Sequence, residues 1–472
     1  MHIAFINPQG NFDEFDSYLT EHPDFGGQLV YVKETCRALS KLNVQVDILT
    51  RWIDDPKWPG FEKQIDYFSE GNNNPRIIRI KCGGNRFLNK EALWPHLPEF
   101  VDNVMKFYGA DLPDSFTAHY ADAGYCAVLL QNMTGRGFTF TGHSLGAQKL
   151  DKLDATSENI DNLEKQFYFS KRIAAERLSM QHAFKIITST QQERLEQYSH
   201  PLYTGAVNTQ DDTKFAVIPP GVNTEIFCPT KQKADEAVFE KINANLTQQN
   251  QPYIIASSRL DHKKNIISLV KAYTESKEIH DIAGLAIFIR GVSDPFADIS
   301  TLSKDEQKVL QPILDIITQA AIKDRIDFID VRSQAELAAA YRFFATRHSV
   351  FALPSLYEPF GLAPIEAAAC GLAIVATKNG GPSEIFQDGS GILFDPLDTE
   401  DIAKSSIRAL KHAPDLAKKA QILVNEKYTW MQTAKRYLSV IEEGIASKPS
   451  VSIASHHTLN AEKRIREYLK NS

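Results

Sequence analysis

Residues 139–150 read TFTGHSLGAQKL. An apolar strand, FTFT, runs into Gly142, His143, Ser144, Leu145 and Gly146, which spell G-x-S-x-G, the pattern of the nucleophile elbow in α/β-hydrolases. Read as an elbow, the turn predicts a serine hydrolase with Ser144 as nucleophile and an acid and a histidine further along the chain. Read as a ligand-binding loop after a parallel strand, it makes His143 the residue of interest.

The flanking sequence favours the second reading. Short apolar runs recur before and after the turn: HIAFI, VQVDILT, RIIRI, SFTAHY, FTFTG, KIITST and FAVIPPG, then YIIASS, GLAIFIRG, RIDFID, VFALPS, AIVAT and GILF. They are continuously apolar rather than alternating, as parallel strands covered on both faces must be. Segments with helical spacing separate many of them, among them QLVYVKETCRALSKL, SQAELAAAYRFFA and DTEDIAKSSIRALKH. A lysine- and glutamine-rich stretch at 231–251 interrupts the alternation, which then restarts. The pattern predicts an α/β fold of two Rossmann-like doubly wound domains facing across a cleft. Residues 1–230 form the first domain, 250–428 the second, 429–447 a helix crossing back to the first, and 448–472 a loosely held tail. A hydrolase leaves one of these two series without a role, and neither His348 nor His412 sits in a turn after a strand.

Composition narrows the function. The chain has 472 residues, 52 Lys+Arg against 59 Asp+Glu, a net charge of −7 and 43% hydrophobic residues. Such a balance argues against nucleic acid or an anionic membrane as the main partner. No apolar run approaches the ~20 residues of a membrane span. The N-terminal MHIAFINPQG reads as a strand rather than a targeting segment, and the five cysteines have no metal-ligand spacing, so a reduced, cytoplasmic protein is expected. No Walker A motif is present, and no G-x-G-x-x-G follows the first strand, which leaves an NTPase or a dinucleotide-linked oxidoreductase unsupported.

Open parallel sheets bind ligands beyond the carboxyl ends of their strands, and the charged motifs fall there. In HPDFGGQLVYV, Gly26 and Gly27 open a helix near Gln28, where backbone N–H groups can meet an anion; by itself the pair reads first as a plain turn. SSRLDHKKN puts Arg259 and Lys264 on one loop, suited either to a diphosphate leaving group or to solvent. SLYEPFGLAPIEAAACG sets Glu358 on a loop and Glu366 on the following helix, framing Phe360, Gly361 and Leu362, so that two carboxylates can accept from sugar hydroxyls at separate places. Lys90, Lys149, Lys171 and Arg172 are scattered cations whose convergence spacing cannot show.

GGQLVYV, TGHSLGAQK, SRLDHKKN and YEPFGLAPIEAAACGLAIVATKNGGPSEI, in that order, resemble the retaining GT-B glycosyltransferases (family 4) of the sucrose-phosphate synthase and sucrose synthase group. The resemblance implies transfer of glucose from UDP-glucose to fructose 6-phosphate, giving sucrose 6-phosphate and UDP. It implies Arg259 and Lys264 on the pyrophosphate, Glu366 on the ribose, and Glu358 with Phe360, Gly361 and Leu362 on the donor glucose. His143 would lie by that glucose. Gly26, Gly27 and Gln28 would be shared between donor phosphate and acceptor, and Lys90, Lys149 and Arg172 would hold the acceptor phosphate. Lys171 stands where relatives are expected to have arginine. No metal or other cofactor is implied; Mg²⁺ would act by binding free UDP. Sucrose synthase and mannosylfructose-phosphate synthase are the alternatives within the family, and a non-catalytic sugar-nucleotide binder is one outside it. With no DxDxT motif in the chain, a separate sucrose-phosphate phosphatase is implied.

Overall fold

A computed structural model describes residues 1–18, 22, 24–68, 74–447 and 460–471. They form two compact units, one of Met1–Pro219 with Trp430–Ser472, the other of Pro220–Thr429.

The first unit is built on β1 (His2–Ile6), β2 (Gln45–Arg51), β3 (Ile65–Tyr67), β4 (Arg76–Ile80), β5 (Ser115–His119), β6 (Phe138–Thr141), β7 (Lys185–Thr188) and β8 (Phe215–Val217). Their order is β3-β4-β2-β1-β5-β6-β7-β8, parallel except for β3 against β4. The second unit has β9 (Tyr253–Ser257), β10 (Gly284–Phe288), β11 (Ile326–Ile329), β12 (Val350–Leu353), β13 (Ala373–Thr377) and β14 (Ile392–Phe394), ordered β11-β10-β9-β12-β13-β14. Apart from the extra strands at its edges, the first sheet follows the same plan: later strands add to both sides of a founding strand. The order therefore reverses between β1 and β5 and again between β9 and β12, which opens a crevice at the carboxyl ends of those pairs.

Alternation along the founding strands explains the continuous apolar runs. On β1, Ile3 and Phe5 enter one core and Ala4 and Ile6 the other. On β9, Tyr253 and Ile255 go one way, Ile254 and Ala256 the other. Each sheet is thus covered on both faces, and a polar residue at any of these positions would be buried.

Three sequence expectations are corrected. The chain passes between units at Pro219–Pro220, not within 231–251. That polar stretch carries helix Asp235–Asn245, which buries Ile242 in the second core and pairs Asp235 with Arg342 at 2.6 Å. Its polarity marks a solvent-facing helix with one buried row. Strand β3 was not expected: three residues long and largely exposed, it carries no apolar run. Finally, the expected tail contains helix Ala461–Asn471, with Ile465 only 1% exposed in the first unit's core and the Tyr468 hydroxyl donating to Asp151 at 2.9 Å. Positions 448–459 and 472 of that tail lie outside the described residues.

Helix Trp430–Ser447 belongs to the first unit, where Tyr437 and Ile441, both 0% exposed, pack with Phe5 and Val32. All five cysteines are free thiols. Among the described residues, no helix is long and apolar enough to cross a membrane.

Candidate active site

In the second unit the switch-point loops follow β9 and β12. Arg259, on the first, is exposed and has no ion-pair partner among the described residues. Lys264 closes a 3-10 turn begun by Asp261, whose side chain accepts from the Lys263 backbone, and the next residue, Asn265, donates to the Pro354 and Pro396 carbonyls. The two loops are thereby tied together. Lys264 Nζ donates to Glu358 Oε2 at 2.7 Å, and Ser355 Oγ donates to the same oxygen at 3.3 Å. Glu358 is therefore on a loop, as expected from sequence, and is paired there with Lys264.

The Glu358–Phe360 backbone is clamped by a glycine pair to which the sequence reading gave no role. Gly381 N–H donates to the Glu358 carbonyl at 2.8 Å, and Gly380 adopts φ 96°. A Cβ on Gly380 would lie 2.0 Å from the Glu358 carbonyl oxygen, and one on Gly381 would lie 2.2 Å from that of Phe360. Gly361, at φ 109°, then turns the chain into helix Leu362–Ala369. Glu366 sits on that helix, half-exposed by area but with its carboxyl crowded by protein, and burial pushes its pKa up to about 8. It has no hydrogen-bonded side-chain partner among the described residues.

In the first unit, the loops after β1, β5 and β6 meet. Gly27 opens helix Gly27–Lys41 in an ordinary helical conformation, and a Cβ there would meet no atom within 4 Å. Neither backbone nor packing asks for glycine, so the space above it is open to a ligand. Gln28 reaches back to the Asp24 carbonyl at 3.3 Å. Asp24, 1% exposed, binds Lys90 twice: through its backbone N–H at 2.9 Å and its ammonium at 2.7 Å. Burial alone would lower the Lys90 pKa, but the Asp24 carboxylate outweighs it and the net shift is upward.

A recess lined by Gln9, Lys90, Glu91, Trp94, Tyr120, Asp122, Phe167 and Arg172 adjoins this loop. Lys149 lies 3.8 Å from the Phe167 ring, and Arg172 stacks 5.1 Å from the Tyr120 ring. Burial, followed by repulsion from Arg172 and Lys90, pushes the Lys149 pKa down to about 8. The structure thus brings Lys90, Lys149 and Arg172 together. It does not bring Lys171 to them: one residue along the helix from Arg172, that side chain is turned outward, 4.8 Å from the Tyr168 ring. Tyr120, which lines the recess, has φ 82°, and His143 in the turn after β6 has φ 55°; strain of this kind concentrates at functional sites.

The G-x-S-x-G turn resolves against a nucleophile. Ser144 is exposed, and its carbonyl accepts from Arg172. The Gly146 N–H donates to the buried Glu176 at 2.8 Å, and Glu176 also holds Arg172 and Tyr203. At Gly142 a Cβ would lie 2.5 Å from Leu145 Cδ2 and 2.7 Å from the Tyr198 hydroxyl, so any side chain there would have to displace these two. His143 faces not a carboxylate but His119, with Nε2 2.8 Å from His119 Nδ1. Burial pushes the His143 pKa down to about 4, and burial with His143 nearby holds His119 well below its usual range, so both rings are neutral at pH 7. His119 Nε2 is buried without a partner. An orphaned N–H there would cost more than an orphaned lone pair, so the shared proton belongs on His119 Nδ1. That leaves His143 an Nδ1–H to donate elsewhere. A fluorophosphonate is accordingly expected to leave Ser144 unmodified in a mass-spectrometric digest, and Ser144→Ala to keep sugar transfer close to the wild-type rate; stoichiometric labelling would reinstate the elbow.

His119, Asp122, Asp24 and Gln9 were missed from sequence. The signal that located the other motifs, a polar residue just past an apolar strand, was present for His119 and Asp122 in SFTAHYAD and for Gln9 in HIAFINPQ. Among the described residues, no three His, Cys, Asp or Glu side chains are grouped to hold a metal.

Two parallel-sheet units, each with charged loops at its switch point, are the frame of a GT-B glycosyltransferase. The family described as sucrose synthase first GT-B domain matches residues 1–246, and glycosyl transferases group 1 matches 238–430. A probable sucrose-phosphate synthase of Thermosipho melanesiensis is 43% identical over 445 residues, 94% of this chain and 97% of the relative. The chain spans about half the length of the plant sucrose-phosphate synthases it matches. The solved sucrose-phosphate synthase of Thermosynechococcus elongatus superposes with a TM-score of 0.66 at 24% identity, covering 95% of this chain and all (100%) of that one. HepE of Anabaena, solved in complex with UDP, gives 0.61 at 16%, covering 94% and 100%. The chain belongs to the sucrose-phosphate synthase family of GT-B glycosyltransferases, and it is a hexosyltransferase.

Proposed function

We propose that the enzyme transfers glucose from UDP-glucose to fructose 6-phosphate with retention, giving sucrose 6-phosphate and UDP. The observation that carries this reading is the recess lined by Lys90 and Arg172, with Lys149 against its Phe167 wall, where burial and then the two neighbouring cations lower the Lys149 pKa. Lys90 and Arg172 are each paired with a carboxylate, whereas the charged form of Lys149 is disfavoured until an anion enters, and a phosphorylated acceptor supplies one where free fructose does not. The name of the Thermosipho relative and the UDP bound to HepE support the same choice of acceptor and nucleotide.

On this reading the second unit holds the donor. Arg259 and Lys264 neutralise the diphosphate as the glycosidic bond breaks, and Glu366 accepts from the ribose hydroxyls. Glu358, fixed by Lys264 and Ser355, accepts from the glucose together with the backbone N–H groups of Phe360, Gly361 and Leu362. In the first unit the Nδ1–H of His143 donates to the sugar, while Gly26, Gly27 and Gln28 leave room for the donor phosphate. The departing phosphate takes the proton of the attacking acceptor hydroxyl on the same face, so the protein contributes position and charge stabilisation. The reaction needs no cofactor, and Mg²⁺ acts by binding released UDP. Free thiols at all five cysteines suit the reducing cytoplasm.

The test is a panel of UDP-, ADP- and GDP-sugars against fructose and fructose 6-phosphate, reading released nucleotide. Turnover with UDP-glucose and fructose 6-phosphate is expected; a preference for GDP-mannose or for free fructose overturns the assignment. Lys149→Ala is further expected to raise the KM for fructose 6-phosphate by about tenfold or more and to leave the KM for UDP-glucose unchanged. An unaltered acceptor KM removes Lys149 from the site.

A further inference from the structure

The recess in the first unit holds polar groups that cations on a phosphate do not explain. Asp122, second residue of helix Ala121–Thr134, is 3% exposed, and no side chain donates to either of its oxygens among the described residues. Gln9, on the loop after β1, is also 3% exposed, and its Oε1 is buried without a partner. Both line the same recess as Lys90 and Arg172. A buried acceptor left without a donor costs about 1–3 kcal/mol; Gln9 Oε1 incurs that cost, and Asp122 is served by backbone N–H groups alone.

A purely structural account covers only part of this. An acid in the first turn of a helix is favourable beside the exposed N–H groups there, and the backbone N–H groups of Ala123 and of Asp122 itself do donate to the Asp122 carboxylate. The same benefit is available to an exposed carboxylate, however, and it offers nothing for Gln9, which is in no helix. Burial pushes the Asp122 pKa up to about 7, as expected of a carboxylate whose surroundings supply too few donors. The recess therefore presents two chemistries: Lys90 and Arg172 on its wall, with Lys149 beside it, suit an anion, whereas Asp122 and Gln9 suit donors. A phosphorylated sugar offers both, with an anionic group at one end and hydroxyl donors along the rest.

We infer that Asp122 and Gln9 form a second half of the acceptor site, accepting hydrogen bonds from the hydroxyls of the sugar whose phosphate the three cations hold. This rests on the acceptor assignment proposed above and adds to it the residues that select a polyhydroxy acceptor rather than any phosphate.

The experiment compares wild type, Asp122→Asn and Gln9→Met, each checked for folding by thermal melting. It reads the KM for fructose 6-phosphate, the KM for UDP-glucose and inhibition by inorganic phosphate, which can occupy only the cationic half. The expected result is a rise in acceptor KM of about tenfold or more per variant, as for loss of a hydrogen bond to a charged group. The donor KM and phosphate inhibition should stay unchanged. Folded variants whose acceptor KM stays within about twofold of wild type overturn the inference, as does a parallel weakening of phosphate inhibition, which would mean the whole recess had collapsed. If Asp122→Asn does not fold, Gln9→Met carries the test alone. A wild-type enzyme that ignores fructose 6-phosphate counts against the acceptor assignment instead, since the variants are read only relative to it.

Discussion

Arg259→Ala is expected to lower kcat by about 10²–10³-fold while the melting temperature stays put. The second half of that expectation comes from the structure: Arg259 is exposed and makes no ion pair among the described residues, so its removal disturbs nothing in the resting protein, and surface changes of this kind stay within about 0.5 kcal/mol. The first half follows from its place on the loop after β9, at the strand-order reversal where a diphosphate would sit. Lys264→Ala should reduce kcat to a similar degree but differs in one respect. Lys264 Nζ holds Glu358 at 2.7 Å, so its loss also frees the carboxylate assigned to the donor glucose, and the KM for UDP-glucose should rise. Steady-state kinetics with saturating acceptor, run beside a thermal melt, separate the two variants. Wild-type turnover in Arg259→Ala would remove it from the diphosphate site.

Gly380→Ala is the second change with a large expected effect, and no ligand contact is involved. The added Cβ would stand 2.0 Å from the Glu358 carbonyl oxygen, a backbone atom that cannot swing aside as a side chain can. The backbone angle of 96° adds strain of about 1–3 kcal/mol for a residue with a side chain. The loop carrying Glu358 has to move, and the bond from Gly381 N–H to the Glu358 carbonyl goes with it. UDP-glucose binding should weaken by at least tenfold, together with a lowered melting temperature, as isothermal titration and a thermal melt would show. Gly60→Ala, with φ 98° but no atom within 4 Å of the added Cβ, is the control that isolates strain from collision. If both variants bind UDP-glucose equally well, the clamp is not what shapes the donor loop.

The fold was legible because its strands are buried on both sides. A parallel strand with cores above and below leaves an unbroken apolar run, so every strand except β3 could be read from the chain. β3 lies at an edge, antiparallel and mostly exposed, and nothing in Ile65–Tyr67 obliges it to be apolar. The unit boundary was misplaced for the opposite reason: helix Asp235–Asn245 needs few buried positions, and its polar face resembled a linker. At the site, motif position located Arg259, Lys264, Glu358 and His143, since each lies just past a strand. Spacing said nothing about how Lys90, Lys149 and Arg172 converge from separate elements, nor that Lys171 turns away. The Lys264–Glu358 pair spans loops almost a hundred positions apart in the chain, and the His119–His143 pair joins two strands through one proton. Such pairings depend on sheet order, which no local pattern encodes.

Because Tyr437 and Ile441 fill the same core as Phe5, the first unit is assembled from segments on either side of the second in the chain. During synthesis its amino-terminal part emerges first yet stays unfinished until residues beyond 430 have left the ribosome. At about 5–20 residues per second it waits tens of seconds, with a strip of Val32 and Phe5 uncovered, while the second unit, contiguous from Pro220 to Thr429, is already fully translated. The amino-terminal part of the first unit is thus made before the second unit and closes after it, and the newborn chain depends on helix Trp430–Ser447 to bury what strand β1 exposes.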